Sequence, residues 1–201
     1  MVRFAHRSRR RTDLTADRRP PRVVVRRTLP TDPATRGSAS LFLAEAGRQG
    51  VAAGRRLLFV GLEPAGEQVA ACLRVAPGTA VVARRKLLLA DGVPVRVATS
   101  FLREDLFGGT RLAEPGFVEP SLQAAVGALG HRFGGAEETL TCRPPNRLEA
   151  DVLALGPGEW VVQILRASRS TRDLPIHTLE TACAASRHVF PIAQAAGDDQ
   201  F

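Results

Sequence analysis

The stretch Pro77-Gly78-Thr79-Ala80-Val81-Val82-Ala83-Arg84-Arg85-Lys86-Leu87-Leu88-Leu89-Ala90-Asp91-Gly92-Val93-Pro94-Val95 decides the fold. Pro77-Gly78 is a turn signal, and Ala80 to Leu89 is a long, mainly apolar strand. Ala90-Asp91-Gly92 closes that strand in a hairpin, because Asp-Gly suits the φ > 0 positions of tight connections. Val93 to Phe101 is then the return strand.

The same plan recurs 80 residues further on. Gly47 and Gly50 fall on Gly127 and Gly130, and Ala70 and Leu73 on Ala150 and Leu153. Pro77-Gly78 falls on Pro157-Gly158 and Val81-Val82 on Val161-Val162. After one extra residue in the second copy, Val93-Pro94-Val95 meets Leu174-Pro175-Ile176. The match is one of pattern, the same elements in the same order. Leu41 to Ala46 and Leu122 to Leu129 read as short helices stopped by glycine. Leu57 to Val60 and Glu138 to Thr141 read as strands. Glu67 to Leu73 and Arg147 to Leu155 read as short amphipathic helices, each preceded by proline. Ala80 to Leu89 and Trp160 to Ala167 are long apolar strands, and Val93 to Phe101 and Pro175 to Ala182 return from them. Ser170-Thr171-Arg172-Asp173 is the second hairpin turn. Two copies predict an α+β fold with six mostly antiparallel strands and helices on one side, rather than a doubly wound sheet.

The 201 residues suffice for one sizeable domain, or for a domain and an arm. No apolar run approaches the roughly 20 residues of a membrane span, and MVRFAHRSRRR lacks the apolar stretch of a secretory signal. Cys72, Cys142 and Cys183 form no CxxC pair, so neither a zinc site nor a disulfide framework is expected; free thiols fit a reducing cytoplasm. The net charge of +8 is unevenly spread. Residues 1–27 carry ten arginines against Asp13 and Asp17, whereas the remainder balances eighteen basic and eighteen acidic residues. A nucleic-acid footprint therefore attaches to the arm alone. Residues 1–37 read as a basic arm and linker too polar to order themselves, apart from a short strand starting in Val23-Val24-Val25. Residues 38–192 read as the folded domain and 193–201 as a polar tail.

These residues resemble the UTRA domain, the effector-sensing domain of the HutC branch of bacterial GntR transcription regulators. The run from Pro77 to Val95 carries the resemblance, with the strand ending Thr99-Ser100-Phe101-Leu102. The second copy adds Leu129-Gly130-His131-Arg132, then Arg147-Leu148-Glu149-Ala150 to Leu155 with Pro157-Gly158, then Asp173-Leu174-Pro175-Ile176 and Ser186-Arg187-His188-Val189-Phe190. The resemblance implies a chorismate lyase-like fold, a six-stranded antiparallel sheet with flanking helices. It implies a small-molecule effector, often acidic, in a cleft between sheet and helices, and signalling through a homodimer. It implies neither cofactor nor metal. Family members place a winged helix-turn-helix before this domain, but no such pattern fits into residues 1–37. DNA binding is then expected only through a reader module supplied elsewhere, or weakly through the arm.

The family's basic pair on the strand before the hairpin falls on Lys86 and Leu88, so one cation is kept and its planar partner is lost. Ser121 matches a helix-opening serine, which can seat an anion or simply cap its helix. A position that is often Glu in the family is Ala98, and His177 stands where the last strand often carries Glu, with Glu180 three residues on. Period-two alternation lets Lys86, Leu88, Ala98 and Ser100 share one face. One of Arg84 and Arg85 should face solvent. The expected ligand-binding set is Lys86, Ser121, Ser100, Arg85, His177 and Glu180, although His177 reads more readily as a partly exposed edge-strand histidine. No G-x-S-x-G, H-E-x-x-H or phosphate-loop motif is present, so catalysis is not expected. The alternatives are a lyase-like enzyme on the same fold, or nucleic-acid binding through the arm.

Overall fold

Glycine and αL punctuation in the chain matches its two-fold plan. The computed structural model describes residues 24–26 and 39–191; segment 1–22 and the tail 193–201 lie outside the described residues. The elements are β1 (Val25–Arg26), α1 (Ala39–Arg48), β2 (Ala53–Pro64), α2 (Glu67–Leu73), β3 (Ala80–Ala90), β4 (Val93–Arg103) and α3 (Glu104–Phe107). They continue as α4 (Leu122–Ala128), β5 (Phe133–Arg143), α5 (Arg147–Leu153), β6 (Val161–Ser170), β7 (Pro175–Ala184) and β8 (His188–Val189). Asp91 and Gly92 both have positive φ, as a two-residue hairpin requires. α2 and α5 end alike, with Arg74 and Ala154 in the left-handed region at φ 53° and 49°. In each, the next residue's N–H returns to the helix, Val75 to Ala70 O and Leu155 to Ala150 O. Two non-glycine residues holding an uncommon conformation at equivalent places are a conformational signature of the repeat.

The six long strands form one sheet in the order β2-β3-β4-β7-β6-β5, with every neighbouring pair antiparallel. β1 and β8 form a separate parallel pair, Val25 opposite His188. Two residues of the stretch read as arm are thus anchored. Val25 is buried, and Gln49 brackets Arg26 by donating to its carbonyl and accepting from its N–H. The two repeats meet where β4 pairs with β7. Thr99 lies opposite Glu180, flanked by Ala98 opposite Thr181 and Ser100 opposite Leu179. Thr99 and Glu180 are 81 residues apart, the same offset that brings Val93-Pro94-Val95 onto Leu174-Pro175-Ile176. A pseudo-two-fold axis therefore passes through that pair.

Helices cover both faces of the sheet, not one. α2 packs Val69, Ala70 and Leu73 on Val81, Ala83 and Phe101, and α5 packs Leu153 on Leu87, Val97 and Ala182. On the opposite face, Phe42 of α1 packs on Leu88, Ala98 and Leu179, while Ala125 and Val126 of α4 pack on Val82 and Leu102. The reason lies in β3, β4 and β7, which are buried along almost their whole length. A strand apolar on both sides needs cover on both sides. The strands also run longer than the sequence suggests. β5 extends to Phe133–Arg143 although its side chains are mostly exposed; as an edge strand it is polar, and polar residues mask its periodicity. The glycine stop after α1 is Gly50, at φ 67°, rather than Gly47.

Leu102 has no exposed surface and sits where β4, α3 and α4 converge, whereas Leu62 on edge strand β2 is 57% exposed. Leu102→Ala should cost about 2–5 kcal/mol in denaturant unfolding, and Leu62→Ala roughly 0.5 kcal/mol or less. Equal losses would mean that the packing is misplaced.

Candidate functional site

Strand alternation divides the six expected residues between the two faces. Lys86 on β3 lies opposite Ala98, Arg84 opposite Ser100, and Leu102 opposite His177. Lys86, Ser100 and His177 therefore share the face covered by α1 and α4. Ser121 opens α4 on that side, where its hydroxyl accepts a hydrogen bond from the Ala124 N–H at 3.1 Å. Arg85 and Glu180 lie on the opposite face, in one row with Thr99.

His177 is a central-strand residue, 5% exposed, and not the partly exposed edge histidine that the sequence also allowed. Its ring meets Phe133 edge to face at 5.7 Å. Neither ring nitrogen has a hydrogen-bond partner among the described residues. Burial, followed by the fields of Arg166 and Lys86, lowers its pKa to about 3, so the imidazole is neutral at physiological pH. A neutral ring offers one donor and one acceptor. Leaving such groups unpaired costs roughly 1–3 kcal/mol each, so the native fold must have a reason to keep them.

Lys86 is half-buried and makes no hydrogen bond or ion pair within the described residues. Burial and then the positive charges of Arg55 and Arg84 pull its pKa down to about 8. Arg84 faces the interior instead of solvent. Its guanidinium donates to the carbonyls of Leu112 at 2.7 Å, Glu114 at 2.9 Å and Gly116, holding the α3–α4 connection over the sheet. Arg55 fastens the same connection through Glu119 at 2.8 Å and lies 4.2 Å from the Phe117 ring centre; Arg111 donates to Glu119 O. Across the pseudo-axis, Arg166 is buried on β6, opposite Leu179 and Glu138. Lys86 and Arg166 thus act on a neutral histidine, on a face that also carries Arg84. Of these three cations, only Arg166 has a carboxylate within ion-pair distance among the described residues, Glu138 at 3.8 Å. This face has the chemistry of an anion receptor.

Arg166 was missed by sequence reasoning, though a signal existed: the 80-residue shift carries Lys86 onto Arg166. The buried group of Arg96, Glu45 and His188 was also missed. Arg96 Nε lies 2.8 Å from His188 Nε2, and its terminal nitrogens lie 3.4 Å from Glu45. No local pattern joins residues so far apart in the chain. Arg85 is half-buried on the other face, donating to both Glu63 oxygens at 3.1 and 2.8 Å and to Thr99 Oγ1 at 3.2 Å. Neither Arg84 nor Arg85 is thus left to bulk solvent. Burial raises the pKa of Glu180, against the field of Arg143.

The UTRA domain family model matches residues 48–189. A curated relative, an uncharacterised HTH-type transcriptional regulator of Streptomyces coelicolor, is 32% identical over 108 residues. Those cover 51% of this chain and only 39% of the relative, so the chain spans well under half of that protein. Among solved structures, the effector domain of PhnF from Mycobacterium smegmatis is 27% identical with a TM-score of 0.65, covering 77% of this chain and 94% of that one. Another structure of PhnF from the same organism is 25% identical with a TM-score of 0.69, covering 87% and 73%.

The depressed pKa of His177 has a measurable cost. The unfolded chain takes up a proton near pH 6.5, while the native ring resists it until about 3. Stability should therefore be lost as pH falls through that window, by up to about 1.4 kcal/mol per pH unit from this group. His177→Phe should make the slope of unfolding free energy against pH shallower between those limits. An unchanged slope would show that the ring already titrates normally.

Proposed function

Because the chain belongs to the UTRA domain family, we propose that it is the effector-sensing part of a GntR/HutC-type bacterial transcription regulator, acting in the cytoplasm on a small acidic metabolite. The observation that carries this reading is the unpaired Lys86 on the same buried face as the partnerless ring of His177. A carboxylate or phosphate there would neutralise the lysine and accept one hydrogen bond from the imidazole N–H. The curated relative is described as an HTH-type transcriptional regulator and the PhnF structure as an effector domain, which supports a sensor over the lyase-like alternative. No helix among the described residues is long and apolar enough to cross a membrane. In this reading Ser100 belongs to the floor of the cleft and Ser121 to its helical wall. Occupancy is signalled through a homodimer, and DNA is read by a winged-helix module outside these 201 residues.

Thermal-shift screening of acidic metabolites should identify the ligand, since native-state binding raises stability. Calorimetry should then show Lys86→Ala weakening it about tenfold to a hundredfold, the loss of one charge-assisted contact worth roughly 1.5–3 kcal/mol. An unchanged dissociation constant would place the ligand elsewhere. The affinity should also fall as pH rises through about 8, because the charged lysine is the binding form and its pKa lies there. Lys86→Arg stays charged and should flatten that profile.

For assembly, sedimentation at tens of micromolar should give a dimer, the commonest symmetric state. A monomer at that concentration would remove the route by which occupancy is proposed to reach DNA.

A further inference from the structure

The opposite face of the sheet carries a cavity that the effector reading does not use. It has a volume of about 380 Å³ and lies where α5 overhangs the pseudo-two-fold axis. That is the low end of the range for small-ligand sites. Arg85, Thr99 and Glu180 line its floor with the apolar side chains of Val97 and Ala182; Asn146, Arg147, Leu148 and Glu149 form its α5 wall, with both Glu149 oxygens already taken by Arg143 and the Asn146 N–H. Because side chains alternate along a strand, this floor backs directly onto the Lys86 face. Arg85 adjoins Lys86, Thr99 adjoins Ser100, and Glu180 lies between Leu179 and Thr181.

Arg85, Asn146 and Glu180 are held by hydrogen bonds, and each of them, like Arg147, keeps bonding capacity. Arg85 uses three of its N–H groups on Glu63 and Thr99, leaving two of the guanidinium's five. The Asn146 side chain accepts from the Glu149 N–H through Oδ1, leaving its amide NH2 group without a partner among the described residues. Arg147 is exposed and makes no hydrogen bond or ion pair among the described residues. Glu180 receives the Gln163 amide at 2.8 Å and approaches Arg143 at 3.7 Å, both through Oε1. Its Oε2 has no partner among the described residues. Arg143 is already satisfied, with Glu149 at 2.7 Å through two N–H groups and Gln163 at 2.6 Å.

The cavity thus presents cationic and amide donors along one side and a carboxylate oxygen on the other, with a small apolar floor between. A simple dianion would be repelled by Glu180, and a simple amine by Arg85 and Arg147. We propose that this cavity is a second ligand site, distinct from the Lys86 face, that takes a free α-amino acid with a small side chain. The ligand's carboxylate meets Arg85, Arg147 and Asn146; its ammonium meets Glu180 Oε2; its side chain lies on Val97, Ala182 and Leu148. Arg85 and Glu180, grouped in the sequence with Lys86 and His177, then serve a different ligand from theirs.

The test is a nitrogen-15 chemical-shift titration of the full chain with glycine, L-alanine, L-serine and L-valine at millimolar concentrations. The expected result is saturable shifts of Arg85, Thr99, Asn146, Leu148 and Glu180 amides with at least one of these probes, and a weakening of at least tenfold for its N-acetyl and its amide derivatives. Glu180→Gln, which preserves shape and the Gln163 contact, should weaken the parent amino acid similarly while the spectrum remains that of a folded chain. Three results would each overturn the proposal: no saturable shifts with any of the four, shifts centred on Lys86, Ser100 and His177 instead, or derivatives that bind as well as the parent. Inorganic phosphate titrated into the same sample reports separately on the Lys86 face, so failure of one site does not disguise failure of the other.

Discussion

The antiparallel pairing of β4 with β7 is the constraint on which the rest of the molecule depends. It joins two halves that each contribute three strands, and it sets their register through Thr99 opposite Glu180. One residue of slip would move every side chain of a half to the other face. Lys86 would then leave the company of His177, and Leu87 and Val97 would lose Leu153. Burial on both sides of β3, β4 and β7 fixes the register, because slip in either direction exposes apolar surface and buries charge.

That same alternation lets one sheet carry two different environments. The sequence runs Arg84-Arg85-Lys86, three cations in a row, yet they part company. Arg84 and Lys86 go to one face, where the first holds the α3–α4 connection and the second stays unpaired. Arg85 goes to the other, where Glu63 neutralises it. The charge of the chain as a whole says little about either place. The positive face comes from a few cations brought together in a body that is electrically balanced, while the arginine surplus of residues 1–27 lies mostly outside the described residues.

Three arginines, Arg55, Arg84 and Arg111, secure the α3–α4 connection by hydrogen bonds to its carbonyls and to Glu119. Such an attachment suits a sensor. The Arg84 guanidinium adds backbone hydrogen bonds to the apolar anchorage that Leu112 and Val118 give the connection, and in the proposed reading a ligand that alters the field around Lys86 also acts on the neighbouring Arg84. In that reading, occupancy of the Lys86 face and the fastening of the connection are electrostatically linked.

Much of the fold could be read from the chain. The Pro-Gly turns, the Asp-Gly hairpin and the 80-residue repeat specify strand order within each half, since they are local signals of backbone conformation. β2 and β5 showed only their centres, because edge strands carry polar residues that hide a period of two. The position of Lys86 on a strand before the hairpin follows from sequence spacing; its shared face with Ser100 depends also on the bulge that shifts the β3–β4 register between Leu88 and Leu89. What the sequence could not supply is which distant elements meet. Helices on both faces, the central burial of His177, the approach of Arg166 from the second repeat and the separation of Glu180 from Lys86 all follow from the β4–β7 pairing. That pairing joins residues about eighty apart through backbone hydrogen bonds that carry no side-chain signature. Local propensity determined the two halves; only the tertiary structure, through which faces were left to be buried, decided where their charges would meet.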